Sequence, residues 1–293
     1  MELELLDWIN PDELCWIYLS SNINAIDYLK KNLDKIDWSM LSKNENAIDI
    51  LKEHPDKIDW YYLSGNKNAI ELLEANIENI DWEMLSENPG AIELLKAHPE
   101  NINWDNLSKN PNAIEILEAN LEKINWYNLS ANPNSLKLLI DNWDKIEWTM
   151  LSRNPKAINI LKENFEKIDW EMLSLNPNAI QILKENQNKI DWDYLSANPE
   201  AFDLFKNNID KIKWYIMSFN KNMIPILKEN QDKIIWFVFS NNPSIFTYNY
   251  EKLRNSNLEL KEEIIAKALH PKRIFRLIEE YGEEEIYNIY FDE

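Results

Sequence analysis

The stretch KIDWEMLSLNPNAIQILKENQN, Lys167 to Asn188, decides the fold, because edited copies of it stand directly before and after it. Trp16, Trp38, Trp60, Trp82, Trp104, Trp126, Trp148, Trp170, Trp192, Trp214 and Trp236 follow one another at one constant interval, with no insertion or deletion. A short period of this kind overrides the one- or two-domain expectation that 293 residues would otherwise carry. Ser stands four positions after every one of these Trp residues and Asn six after. Pro comes next in seven units, then Ala and Ile in most, and a Leu three positions beyond the Ile.

Local chemistry turns this pattern into elements. In SLNPNAIQILKEN, Ser174 to Asn186, Asn reads as an N-cap, Pro as the first helical residue, and apolar residues recur at spacings of three and four. That predicts an amphipathic helix of about ten residues. It ends at a slot held mostly by Asn and twice by His (His54, His98), residue types that tolerate left-handed backbone. In KIDWEMLS, Lys167 to Ser174, an acid or amide precedes most of the Trp residues as a cap, and Trp and Leu fall three apart on one helical face.

Two short helices in so short a unit cannot bury their own apolar faces, so neighbouring units must cover them. The fold class expected is therefore all-α, an α-solenoid of about eleven 22-residue two-helix repeats with N- and C-terminal capping helices. At roughly 8–10 Å per layer, eleven units would extend on the order of 100 Å, an elongated rod. Each indole buries about 150–250 Å², so the Trp ladder is expected in the core. Trp143, in the slot of Leu33, Ile77, Leu121 and Phe165, is expected to be buried with them. A leucine-rich-repeat horseshoe is the competing fold, since its range of periods takes in this one and its Asn ladder would account for the fixed Asn. One Val (Val238) and two Thr (Thr149, Thr247) argue against strands.

The pattern divides the chain into an N-terminal cap, residues 1–15, a repeat array, 16–249, and a C-terminal helical cap, 250–293. Asn10 to Leu14 (NPDEL) reads as a capped helix start, and Leu258 falls where a twelfth Trp would stand. HPKRI, His270 to Ile274, repeats the form of HPDKI at His54 and HPENI at His98.

Charge restricts the partners. A net charge of −20, from 51 acidic and 31 basic residues, disfavours nucleic acid and anionic membranes and favours a basic partner. The acidic N-terminal stretch and the lack of a long apolar run point to a cytoplasmic protein, and the single Cys15 fits a reducing compartment. Three scattered histidines and one thiol give no metal spacing, and three glycines give no phosphate loop. The fixed Ser residues have no His near them in sequence, so capping or bridging outweighs nucleophilic work. No enzyme, cofactor or metal site is expected.

Two stripes stand out as partner-binding candidates. One is acidic, just ahead of the Lys that leads into the next unit: Asp34, Asp56, Glu78, Glu100 and Glu122, continuing through Glu166. It either attends the start of the next helix or forms a ridge for a basic protein. The other is aromatic, in the two variable positions after Trp: Tyr18, Tyr61, Tyr62, Tyr127, Tyr194 and Tyr215. Such residues suit either recognition or half-burial in the core.

The recurring W-x-x-L-S-x-N-P-x-A-I, as in WDNLSKNPNAI from Trp104 to Ile114, resembles tandem repeats in proteins of giant nucleocytoplasmic DNA viruses of amoebae. The richness in Asn, Ile and Lys is similar, and is of the kind an AT-rich coding sequence produces. Residues 8 to 282 carry the resemblance, and it implies no catalytic residues. It places the chain in a host cytoplasm or a virion. The function expected is a non-enzymatic protein–protein interaction scaffold. The alternatives are a structural component of a viral particle and a horseshoe binding module.

Overall fold

The computed structural model describes residues 3–248, 258–283, 285 and 286. Residues 249–257, 284 and 287–293, parts of the expected array end and C-terminal cap, lie outside the described residues. The chain divides into a body, Leu5–Phe246, and a second unit made of residues 1–4 with Thr247–Glu293.

The body is built of short α- and 3-10 helices, and each of its first ten repeats carries at least three such elements rather than two. In the repeat opened by Trp38 they are a first helix, Trp38–Lys43, a second helix, Ile48–Glu53, and a 3-10 turn, Pro55–Lys57. The acid before Trp caps the first helix as its chemistry requires: Asp37 Oδ1 accepts from Met40 N at 2.8 Å, and Asp81, Asn103, Asn125, Asp169 and Asp191 do the same. Where Cys15, Lys213 or Ile235 holds that slot there is no side-chain cap.

The second helix is shorter than the sequence predicts. The fixed Asn is extended (Asn44, φ −73°, ψ 113°), and its Oδ1 accepts from the backbone N–H two residues on, closing an Asx turn. The helix proper starts only at Ile48, with Ala47 at its N-cap. It ends without left-handed backbone. His54 has φ −132° and ψ 60°, and among the described residues only Gly282 has positive φ. Asn in that slot instead donates Nδ2 to the carbonyl four residues back, as from Asn32 to Tyr28 O at 2.9 Å.

Between repeats runs a fully buried polar ladder. Asn44 Nδ2 donates to Ser20 O at 3.0 Å and to Asn22 O at 2.9 Å in the preceding repeat. Ser20 Oγ donates to Trp16 O at 2.7 Å and accepts from Asp37 N at 3.0 Å in the next repeat. These bonds recur at each repeat, and no buried side-chain N or O among the described residues lacks a partner. Fully buried Leu19, Leu41, Leu63 and their equivalents, with Leu29, Leu51 and Leu73, fill the layers around the ladder.

The ladder does not stop at the last repeat. Asn22 Nδ2, in the first repeat, donates to Ser240 O at 2.9 Å and Asn242 O at 3.0 Å in the eleventh. Cys15 N donates to Ser240 Oγ at 2.8 Å, and Asn24 Nδ2 to Pro243 O at 2.9 Å. The first three are bonds that all neighbouring repeats make, and the last recurs wherever Asn holds the Asn24 slot. An open array of eleven has ten joints; this one has eleven, so the body is a closed ring. The expected rod is thus corrected, its contour becoming a circumference.

Closure is made by a composite repeat. The eleventh repeat takes its first helix, Trp236–Phe239, from one end of the array. Its 3-10 turn, Pro11–Glu13, comes from the other end, five positions before Trp16 as Pro55 is five before Trp60. Residues expected as a cap therefore include a segment, Leu5–Cys15, that completes the last layer: Ile9 and Leu14 are buried, and Leu6 N donates to Ile245 O at 2.9 Å. Trp8 lies 5.9 Å from Phe239, ring centre to ring centre. Strands β1, Leu3–Leu5, and β2, Phe246–Tyr248, pair in a two-stranded sheet.

The indoles are not the core. All eleven are half-buried, because Trp is the first residue of its helix and sits at the layer's edge, while Leu, Ala, Ser and Asn fill the interior. Their open faces are covered by cations instead: Lys35, Lys123, Lys167, Lys189, Lys211 and Lys233 each place Nζ within 5.1 Å of the ring centre of the Trp that opens their own repeat. His54 and His98 instead set their rings at a steep angle to Trp38 and Trp82, at 4.9 and 5.1 Å between ring centres. We expect Trp170→Ala to cost about 2–3 kcal/mol, less than a fully buried aromatic, read as a lower urea midpoint with unchanged m value.

In the second unit, two helices are described, Leu258–Ala268 and Pro271–Tyr281.

Candidate interaction surface

All repeats in a ring turn through the same angle, so elements that approach their neighbours most closely lie nearest the axis. First helices pack directly on one another in most neighbouring repeats, and second helices only sparsely. The first helices therefore form the inner wall, and the second helices the outer. Long side chains bridge the wider outer gaps: Lys52 Nζ meets Glu71 Oε2 at 2.7 Å, and Lys96 meets Glu115 at 3.1 Å. The hydrogen bond and charge of Glu71 raise the Lys52 amine, and those of Lys52 lower the Glu71 carboxyl. The Glu71 share of stability is present above its unfolded pKa and lost as pH falls through the lowered one. The Lys52 share is present below its unfolded pKa and lost as pH rises through the raised one. Both groups face solvent, so the gain is small.

The acidic candidates Asp34, Asp56, Glu78, Glu100 and Glu122 are all exposed, each on the 3-10 turn that closes its repeat. Leu33, Ile77, Leu121, Trp143 and Phe165, each just ahead of an acid of this stripe, were expected to be buried, and the structure corrects this. Trp143 is 44% exposed and Leu33 40%, with Ile77, Leu121 and Phe165 close to them. The 3-10 turn is a single turn pinned at its ends, so only the following Ile, such as Ile36 or Ile80, reaches the interior. Apolar and acidic side chains thus alternate along one exposed rim. The Lys next in sequence folds back over its Trp in six repeats, and Asn79 and Asn101 replace it beside Glu78 and Glu100. Only Asp56 and Asp144 among the rim acids meet that Lys, at 3.5 and 3.4 Å.

The tyrosine candidates lie on the first helices, on a different surface from the acids. Tyr127, Tyr194 and Tyr215 are exposed; Tyr18 and Tyr62 are half-buried, and Tyr62 stacks edge-on with exposed Tyr61 at 5.2 Å. Ring closure brings Tyr18 and Tyr215 into one cluster through Phe219 and Phe237, with ring centres 5.6 to 6.5 Å apart. Phe219, Phe237 and the neighbouring Ile17 are exposed as well. Sequence reading missed both phenylalanines, because in an open array the first and last repeats never meet.

Other features are modest. A cleft of about 340 Å³ between the second helices of the fourth and fifth repeats is lined by Lys96, Trp104, Glu115 and Lys123, among others. The fixed Ser residues are buried and committed to the ladder. No helix among the described residues is long and apolar enough to cross a membrane. Comparison with protein-family models, curated proteins and solved structures returns no match. The repeated helical architecture, with its regular Trp period, is that of a repeat protein and fits a scaffold-like one.

Proposed function

We propose that this chain is a non-enzymatic interaction scaffold whose 3-10 rim holds a basic protein segment. The observation that carries the reading is the exposed alternation of Leu33, Ile77, Leu121, Trp143 and Phe165 with Asp34, Glu78, Glu122, Asp144 and Glu166. Apolar side chains supply desolvated contact area, and the acids beside them select a cationic partner and steer its approach. A regular rim suits a partner that makes the same contact several times, where linked weak contacts add up to avidity. A second surface is supported by the exposed Tyr215, Phe219 and Phe237 cluster, since aromatic residues dominate binding energy where they occur at interfaces.

The test is a titration of partner captured from source cells and then purified, against three forms of the full chain. Reversal of Asp34, Glu78 and Glu122 to Lys is expected to weaken binding by about a hundredfold and to flatten its salt dependence. Tyr215→Ala with Phe237→Ala is expected to leave it within about threefold. If the aromatic pair abolishes binding and the rim reversals do not, recognition belongs to the inner wall. Indifference to both sets removes the reading.

A further inference from the structure

The helix Pro271–Tyr281 is amphipathic, with Ile274, Phe275, Leu277, Ile278 and Tyr281 on one side and its charges on the other. Part of that apolar side remains uncovered: Phe275 is 67% exposed and Tyr281 55%. Ile264 and Ile265, on the preceding helix Leu258–Ala268, are exposed too. Single exposed apolar residues are ordinary, but four large ones on two successive short helices stand uncovered among the described residues.

The charges beside this face say what covers it. Lys272 and Glu279 stand a heptad apart and flank the apolar side at one edge; Arg273 and Glu280, with the same separation, flank it at the other. A heptad brings the same edge round again, so each edge is basic in its first half and acidic in its second. Placed antiparallel on a second copy of itself, the helix sets Lys272 against Glu279 of the other copy and Arg273 against its Glu280, twice over by symmetry. Arg276 lies away from both edges, toward solvent. Self-complementarity of this kind is the signature of a two-fold interface, in which one patch serves both subunits.

We propose that the chain forms a two-fold homodimer through antiparallel pairing of its Pro271–Tyr281 helices, with exposed Phe275 and Tyr281 on either side of the contact's midline. The inference stands apart from the rim reading, since it uses none of the ring's residues.

Sedimentation equilibrium of the full chain, against a monomer of 35.0 kDa, tests it. A reversible dimer is expected with a dissociation constant on the order of 10 µM, as befits a small contact. Phe275→Asp should weaken it at least about thirtyfold. Lys272→Glu with Arg273→Glu makes both edges acidic, and Glu279→Lys with Glu280→Lys makes both basic. Each variant alone should be monomeric, and an equimolar mixture should form a heterodimer with wild-type affinity, which also shows that the helices still fold. A wild-type chain that stays monomeric at about 100 µM overturns the proposal, being ten times the expected constant. So does a dimer that these substitutions leave unchanged, or a mixture that fails to associate.

Discussion

Replacing Asn110 by Asp is expected to lower the unfolding free energy by about 3–5 kcal/mol at neutral pH, among the largest effects of any single substitution in this chain. Asn110 is fully buried, donates Nδ2 to Ser86 O at 3.1 Å and Asn88 O at 2.8 Å, and accepts from Asn112 N at 3.0 Å. Asp keeps the shape and the accepting oxygen. It turns the donor into a second anionic oxygen, pointed at two carbonyls with no water to screen them. Asn110→Ala should cost less, about 2–4 kcal/mol, because it strands two carbonyls without adding a charge. The order of the two variants carries the point, since a merely space-filling Asn would make Ala the worse change. Burial raises the introduced carboxyl's pKa, so its charge penalty is complete above that raised value and is relieved as pH falls from there to the unfolded carboxylate's value. Urea unfolding of both variants at about pH 7 and pH 4 reads all of this. An Asp variant within about 1 kcal/mol of wild type would mean that the ladder does not tie the repeats together.

The second large effect belongs to the join. Deleting residues 1–15 removes buried Ile9 and Leu14, each worth about 1.5–3 kcal/mol, together with the Cys15 to Ser240 bond. It also uncovers Phe239 and Ile245, which are fully buried in the intact chain. A loss of about 5 kcal/mol or more is expected, with a changed manner of unfolding. A closed ring has no end from which to fray, so amide hydrogen exchange in the intact chain should be protected to similar degree in all eleven repeats. In the truncated chain, protection should fall first in the repeats opened by Trp16 and Trp236 and last in those around Trp126. Fraying of those two repeats in the intact chain would contradict closure.

Much of this was legible in the residues. The period, the helical class, the cap before most of the Trp residues and the structural duty of the fixed Ser all follow from local chemistry. Partner choice along the ladder does not, because Asn44 reaches back a full repeat and more, to Asn22 and Ser20, for bonds that no single repeat contains. The abundance of Asn read as a compositional bias, yet Asn46, Asn68, Asn112, Asn134, Asn178 and Asn222 each donate Nδ2 to a carbonyl of the preceding repeat. The position of the indoles was misjudged by size alone: area favours burial, but helix position put Trp at the edge and left the interior to smaller residues. Closure had one visible trace. Pro11 and Leu14 stand in phase before Trp16, as Pro55 and Ile58 stand before Trp60, so the closing turn of a repeat precedes the first Trp. That this piece belongs to the far end could not be read. Curvature is set by a small tilt at each joint, shared among many side chains.

Of the two candidate surfaces, the acidic stripe was visible from its period. Its apolar companions were misread because Leu, Ile, Phe and Trp recurring at one slot of several repeats look like core. The aromatic cluster was half visible: Tyr18 and Tyr215 were in view, but nothing local indicated that they meet.

The composite eleventh repeat also makes copy number rigid. An open array tolerates the gain or loss of a unit at either tip, since the remaining joints are unaffected. Here eleven units divide a full turn, about 33° apiece, and a twelfth would oblige every joint to settle near about 30° at once. Substitutions can therefore accumulate unit by unit, while the tally itself is held by geometry. Because both tips are spent on each other, the body offers no sticky terminus on which another molecule could stack into a filament.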